Sequence, residues 1–410
     1  MSAPTKSSFP TSRPAPIAPE PDPVRAIPLA TALLLAAILS TYVWTTFGPK
    51  SGTLLILGLG LGITLFHSRF GFTSAWRQLI AVGNGQGLRA HTLLLGTAAT
   101  LIALIVVTSS GPTPKGGPIG LALFAGAVLF AIGMQLGGAC ASGTLFAVGA
   151  GQSAIVLTLG GFIAGSVAYT WAFPIFDGWP QLAPVVLADH VGWLGSWLIT
   201  VAALAAIVAV TQVVQKRRTP PPVDSVPTAK GLARIVRGSW PMLVGAAVLG
   251  TLAAAVFLVS GGIWGVTFAF ALWGAKLLQA LGLHPELWEF WQSASNAKAL
   301  AAPIWVDKTS LTNIGIMIGA AIAAAAAGVW RIHRRIPWRT ALAAVLGGIL
   351  MGVGARLAGG CNIGAYLGGI SVGSLHGWLW GVFALGGTWI GLALRPVFGL
   401  ANPKPADSAC

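Results

Sequence analysis

Charge is what this sequence has least of. Of 410 residues only 24 are Lys or Arg and 9 are Asp or Glu, 8% in all. Soluble proteins carry about a quarter, so a chain this poor in charge cannot cover a core with a wet surface. A soluble globular domain is excluded, and lipid must be the solvent. The nine acids all fall in tails or loops, which leaves an interior that is neutral or positive and argues against a cation substrate or a proton relay through buried carboxylates. Cysteine is scarce too: three residues give neither a disulfide framework nor a spaced zinc set. The six histidines form no metal pair, and no GxxxxGK[ST] phosphate loop or haem motif occurs, so no metal, cofactor or direct ATP coupling is expected.

What is abundant is apolar sequence and glycine, with 55% hydrophobic residues and 55 glycines. Runs of spanning length occur at 27–47, 52–67, 88–108, 119–136, 152–176, 191–214, 240–259, 311–330, 341–358 and 375–394. The fold class expected is an all-α integral membrane protein with about ten transmembrane helices. Several runs are short and are followed by a Gly-rich break and a short helical stretch. Such broken or re-entrant segments survive at membrane depth only where they line a cavity. The 17 tryptophans, many near span ends, read as an aromatic belt. The +15 net charge is read by position, as flanks of spans rather than as a nucleic-acid surface.

The chain also repeats itself. Residues 126–165 laid over 347–386 without a gap match at eleven of forty positions, including Gly138 with Gly359, Cys140 with Cys361 and Gly143 with Gly364. A weaker match sets Gly71-Phe72-Thr73 over Gly265-Val266-Thr267. The expected organisation is a disordered cytoplasmic tail at 1–26, an extra helix at 27–47, a first half at 48–215, a linker at 216–238, a second half at 239–398 and a tail at 399–410. The linker holds Lys216, Arg217, Arg218, Lys230, Arg234 and Arg237, which makes it cytoplasmic by the positive-inside rule. Residues 331–339 carry four arginines, whereas their counterpart at 109–118 has only Lys115; the loop holding Arg69, Arg77 and Arg89 likewise contrasts with the mixed-sign segment 284–308. Matching loops therefore lie on opposite sides, an inverted repeat with both termini cytoplasmic.

The cysteine motifs read GGACASGTLFAVGAG around Cys140 and GGCNIGAYLGGISVG around Cys361. Each follows a span and opens a short helix, which aims backbone N–H groups and a thiol at one point. A helix N-terminus favours anions. Close helix packing by small residues is the bland alternative, and recurrence in both halves weighs against it. The expected anion-binding set is Cys140, Cys361, Gly138, Gly143, Gly360, Gly364, Thr73, Thr267, Arg356 and Gln135. Thr73 and Thr267 would donate hydroxyls or cap helices. Arg356, five residues before Cys361 in an apolar span, is a functional residue by default. Gln135, read as one place out of register with Arg356, would offer an amide donor in the first half. Lys276 reads as a solvated or headgroup lysine, His376 as a packing histidine and Cys410 as an inert terminal thiol.

These residues resemble the YeeE/YedE sulphur-transport family, which includes bacterial thiosulfate-uptake proteins. The resemblance covers roughly 50–395 and rests on the paired Gly-Gly-x-Cys and Gly-Gly-Cys segments and on SRFGFTSAW at 68–76. It implies an hourglass-like inverted repeat of helices whose short segments converge on a central site, where Cys140 and Cys361 pass thiosulfate along by S–H···S hydrogen bonds. Some members carry a third cysteine in the first broken segment, where this chain has Gly71-Phe72-Thr73. The expectation is therefore a non-enzymatic importer of thiosulfate or a related small sulphur anion in the bacterial inner membrane, without cofactors, with a cytoplasmic sulphurtransferase as a candidate partner. The alternative is a thiol–disulfide carrier of reducing equivalents using the same two cysteines.

Overall fold

A computed structural model describes residues 22–109, 115–220, 228–332 and 335–404. The tail at 1–21 and Cys410 lie outside the described residues. The helices are α1 (Ala26–Phe47), α2 (Pro49–His67), α3 (Phe72–Val82), α4 (Gln86–Thr108), α5 (Leu121–Leu136), α6 (Ala141–Gly149), α7 (Ser153–Trp171), α8 (Phe173–Asp177) and α9 (Leu187–Arg218). After the linker come α10 (Ala233–Arg237), α11 (Met242–Ser260), α12 (Phe268–Ala280), α13 (Glu289–Gln292), α14 (Ala294–Ala301), α15 (Lys308–Ala326) and α16 (Trp338–Leu357). A π-helical turn (Asn362–Leu367), α17 (Gly368–Ser371) and α18 (Leu375–Leu394) complete the order. Among the described residues ten stretches are long and apolar enough to span a bilayer, and each overlaps one of the ten predicted runs. The chain is a multi-pass, all-α membrane protein.

Two features depart from the sequence reading. The segment 284–308, read as a loop, holds α13 and α14 and is anchored by buried Trp291 and Leu300 against Ala271, Leu272 and Ala275 of α12. In this segment Gln279, the Glu286 backbone N–H and His284 hydrogen-bond the Glu286 carboxylate and hold it below its usual pKa. Second, residues 22–25, read as part of a free tail, run along the end of α15. The Arg25 N–H donates to Ala325 O at 2.9 Å, Arg25 Nε donates to Gly328 O at 3.1 Å, and Asp22 pairs with Arg331 at 3.2 Å.

Lipid tails are as apolar as leucine, so helix association here depends on close approach rather than on expelling water. The glycines provide it. A Cβ on Gly58 of α2 would come within 2.7 Å of Thr312 O on α15, one on Gly133 of α5 within 2.6 Å of Gly347 O on α16, and one on Gly126 within 2.5 Å of the Ala358 N. The largest interfaces pair α2 with α15 and α4 with α11 on one side, and α5 with α18 and α7 with α16 on the other, while α5 and α16 also meet directly. Exchanging α2–α7 for their counterparts α11, α12, α15, α16, the Asn362–Ser371 segment and α18 turns each of these contacts into another of the set. Outside this scheme stand α1 and α9, both exposed along most of their length.

Candidate functional site

The two cysteine segments start from the same backbone geometry. Helix α5 ends at Leu136 and α16 at Leu357; Gly138 and Gly359, equivalent under the repeat, then adopt left-handed φ of 82° and 66°. An L-residue resists that region, and glycine does not. Cys140 and Cys361 follow in extended conformation, with φ of −81° and −110°, and each is the N-cap of the short helix behind it. Both are buried free thiols. Cys140 Sγ lies 3.6 Å from Ser142 Oγ, whereas Cys361 Sγ accepts the Ile363 N–H at 3.4 Å. The two short segments touch, α6 packing against the π-helical turn behind Cys361.

The shift of 221 residues that carries Cys140 onto Cys361 also carries Gln135 onto Arg356, in register. These equivalent residues touch equivalent partners. Gln135 Nε2 donates to Thr73 O at 3.4 Å, and Arg356 Nη2 donates to Thr267 Oγ1 at 2.8 Å. Each thus ties the end of the long helix before a cysteine to the start of a short helix, α3 or α12. Neither threonine caps its helix with its side chain: Gly71 is the N-cap of α3, and Thr267, the N-cap of α12, makes no capping bond. Arg356 also sits over the Phe268 ring at 5.9 Å. An arginine at mid-span costs about 2.5–3.5 kcal/mol by insertion scales, and one hydroxyl and one ring leave most of its donors for another group.

Several polar atoms on these segments have no partner. Thr73 Oγ1, Gln135 Oε1, Arg356 Nε and both amide atoms of Asn362 are buried without a hydrogen-bond partner. Buried polar groups are ordinarily paired, so these segments have capacity to bind something polar. Around them the packing is tight or open as the glycines dictate. A Cβ on Gly143 would touch Cys140 Sγ at 3.4 Å, one on Gly360 would reach the Ala365 N at 2.7 Å, and one on Gly364 would meet only Gly265 Cα at 4.0 Å.

A sequence profile for sulphur transport matches residues 67–390, which include both cysteine segments and both threonines. The chain belongs to the sulphur-transport family. It is 27% identical over 353 residues to the thiosulfate transporter TsuA of Spirochaeta thermophila, a match covering 82% of this chain and 96% of that protein. Against the thiosulfate transporter TsuA of Escherichia coli the identity is 27% over 349 residues, covering 82% and 92%. The probable transporter YedE of Escherichia coli is 35% identical over 166 residues, and the match spans about 38% of that protein's length.

In this member of the sulphur-transport family the sequence-predicted residues fall into two groups. The geometry brings Gln135 to Thr73 and Arg356 to Thr267, and it sets α6, behind Cys140, against the π-helical turn behind Cys361. Lys276 is not a free surface cation, because its Nζ donates to Leu300 O at 2.8 Å. His376 bonds Ala358 O at 3.0 Å and so fixes α18 to the end of α16. Asn362 is the residue that sequence reasoning missed. It is wholly buried beside Cys361, and an amide in the run Gly-Gly-Cys-Asn was the only signal for it.

Proposed function

We propose that this protein takes up thiosulfate, or a closely related small sulphur-containing anion, across the bacterial inner membrane, passing it between Cys140 and Cys361 without covalent chemistry. The observation that carries the reading is the matched pair of cysteines, each capping a short helix behind a left-handed glycine. The two relatives aligned along most of their length, both named as thiosulfate transporters, support the substrate.

Thiosulfate has a soft terminal sulphur and three hard oxygens, and the site has a partner for each. The thiols donate weakly to the sulphur. Two helix N-termini, each worth about half a positive charge, together with the full charge of Arg356, offset about two negative charges. Arg356, Asn362 and Thr73 supply donors for the oxygens, with Gln135 and Thr267 holding the surrounding segments. Gly138, Gly143, Gly360 and Gly364 let backbone N–H groups and substrate approach. The halves are inverted in this reading, with 48–215 and 239–398 approaching the centre from opposite faces, the linker at 216–238 and both termini cytoplasmic. A cytoplasmic sulphurtransferase is the natural acceptor of the imported sulphur.

The test is uptake of sulphur-labelled thiosulfate by cells stripped of other importers. Expression of the protein is expected to give saturable uptake that unlabelled thiosulfate abolishes and sulfate does not. Uptake no greater than that of empty cells would refute the reading. A thiol–disulfide carrier is the less favoured reading, since it needs Cys140 and Cys361 to bond at about 2 Å, and both are free thiols with other contacts.

A further inference from the structure

Helix α9 has no counterpart in the second half and packs chiefly on α4. Between it and α3, α4 and α18 lies a cavity of about 410 Å³, walled by Trp76, Ile207, Val210, Tyr366, Val382 and Leu385 among others. That volume lies within the roughly 300–1,000 Å³ of small-molecule pockets, but this one is almost wholly apolar. Two of its polar wall groups are committed elsewhere: Thr211 Oγ1 donates to Val208 O at 2.9 Å, and the Trp76 indole N–H donates to His91 Nδ1 at 3.3 Å. A sulphur anion finds nothing to bind here; an alkyl chain finds only favourable contacts.

One end of the cavity is basic. The α9 residues that line it, Ile207, Val210, Thr211 and Val214, follow a helical stripe whose next members, three and four residues on, are Arg217 and Arg218. Both are exposed. Arg89 closes the same end: a Cβ on Gly85 would lie 2.7 Å from Thr211 Cβ and 2.9 Å from Arg89 Nη1. Arg89 Nη2 donates to Gln215 Oε1 at 2.7 Å, while its Nη1 has no partner.

We propose that this groove binds a phospholipid with an anionic headgroup, one acyl chain lying between α9 and α18 and the phosphate resting on Arg217, Arg218 and Arg89. The groove is walled by α4, α9 and α18, elements long and apolar enough to span a bilayer, and its charge complements an anionic lipid rather than a zwitterionic one. The chain would pack on Tyr366, which belongs to the π-helical turn behind Cys361, so the lipid would brace the segment that holds a thiol. The site is independent of what the protein carries.

Native mass spectrometry of the purified full-length protein, titrated with phosphatidylglycerol or with phosphatidylcholine of the same chains, tests this. Phosphatidylglycerol is expected to bind about 30-fold more tightly, the effect of two basic groups near an anionic headgroup. Replacing both arginines (Arg217→Gln with Arg218→Gln) should erase the preference, and Val210→Trp should remove binding of both lipids. If Val210→Trp does not fold, Ala206→Phe fills the same groove. Equal binding of the two lipids by the native protein, or unchanged binding in the filled groove, would overturn the proposal. So would a photoreactive residue at position 210 that crosslinks another protein in membranes rather than lipid.

Discussion

The segment that opens at Cys140 and the one that opens at Cys361 begin alike and then diverge. The first continues as a regular α-helix to Gly149, with the Thr144 N–H and hydroxyl both donating to Cys140 O at 2.7 and 2.8 Å. The second widens into a π-helical turn, in which the N–H groups of Ala365 and Tyr366 share Cys361 O at 2.9 and 3.3 Å. Around them, a neutral glutamine stands where the other half has an arginine. Shared backbone with different side chains is what a relay needs, because two identical sites would bind an anion equally at both stations. Wide turns of this kind recur at functional sites, and here the wider one carries the charge and the unpaired Asn362 amide.

The largest effect is expected from removing the feature the halves share. Cys140→Ala and Cys361→Ala should each lower thiosulfate uptake by at least about tenfold, a loss of roughly 1.4 kcal/mol or more. Full uptake in either variant would mean that the segments are not equivalent stations. The feature that distinguishes the halves comes next. Arg356→Gln makes the second half resemble the first and should cut uptake by about fivefold to tenfold, whereas Gln135→Ala should cost about twofold, since bonds to charged groups are about twice as strong as neutral ones. Equal losses would erase the asymmetry.

Smaller effects fall on stability. Gly138→Ala and Gly359→Ala both have room for the new methyl, whose nearest neighbours would stand 3.6 Å away. Backbone strain of about 1–2 kcal/mol is then the whole cost in each, and the two should lower the melting temperature of the detergent-solubilised protein by similar amounts. The threonines differ most finely. Thr267→Val removes the acceptor of Arg356 Nη2 and should cost about 1.5 kcal/mol of stability. Thr73→Val removes a hydroxyl without a partner and should leave stability unchanged, so any fall in its uptake reads out contact with substrate.

Much of this was legible in the sequence because lipid enforces simple rules. A span must be apolar along its length, so ten runs located ten spans, and glycines paired across the repeat located the breaks. The pairing of Gln135 with Arg356 was also written there, in the same shift that matches the cysteines, but was missed because Gln135 was read one place out of register. Other features were not legible. Nothing in the mixed-sign run 284–308 distinguishes a loop from α13 and α14, because short helices there depend on Trp291 reaching the pocket beside α12. The π-helical turn was equally hidden, since no local propensity marks it; in it Tyr366 meets Trp76 and Trp380 at ring separations of 5.6 and 6.1 Å. Asn362 stood in plain view, but only burial without a partner separates it from a packing amide.

The central claim is that two thiols pass a sulphur anion without bonding to it. Its most direct test uses the purified protein in proteoliposomes, alkylated and mass-analysed at Cys140 and Cys361 while labelled thiosulfate is moving inward. The account predicts uptake with both cysteines recovered as unmodified thiols at every time point. A persulfide on either cysteine, or a Cys140–Cys361 disulfide that forms and disappears in step with uptake, would contradict it.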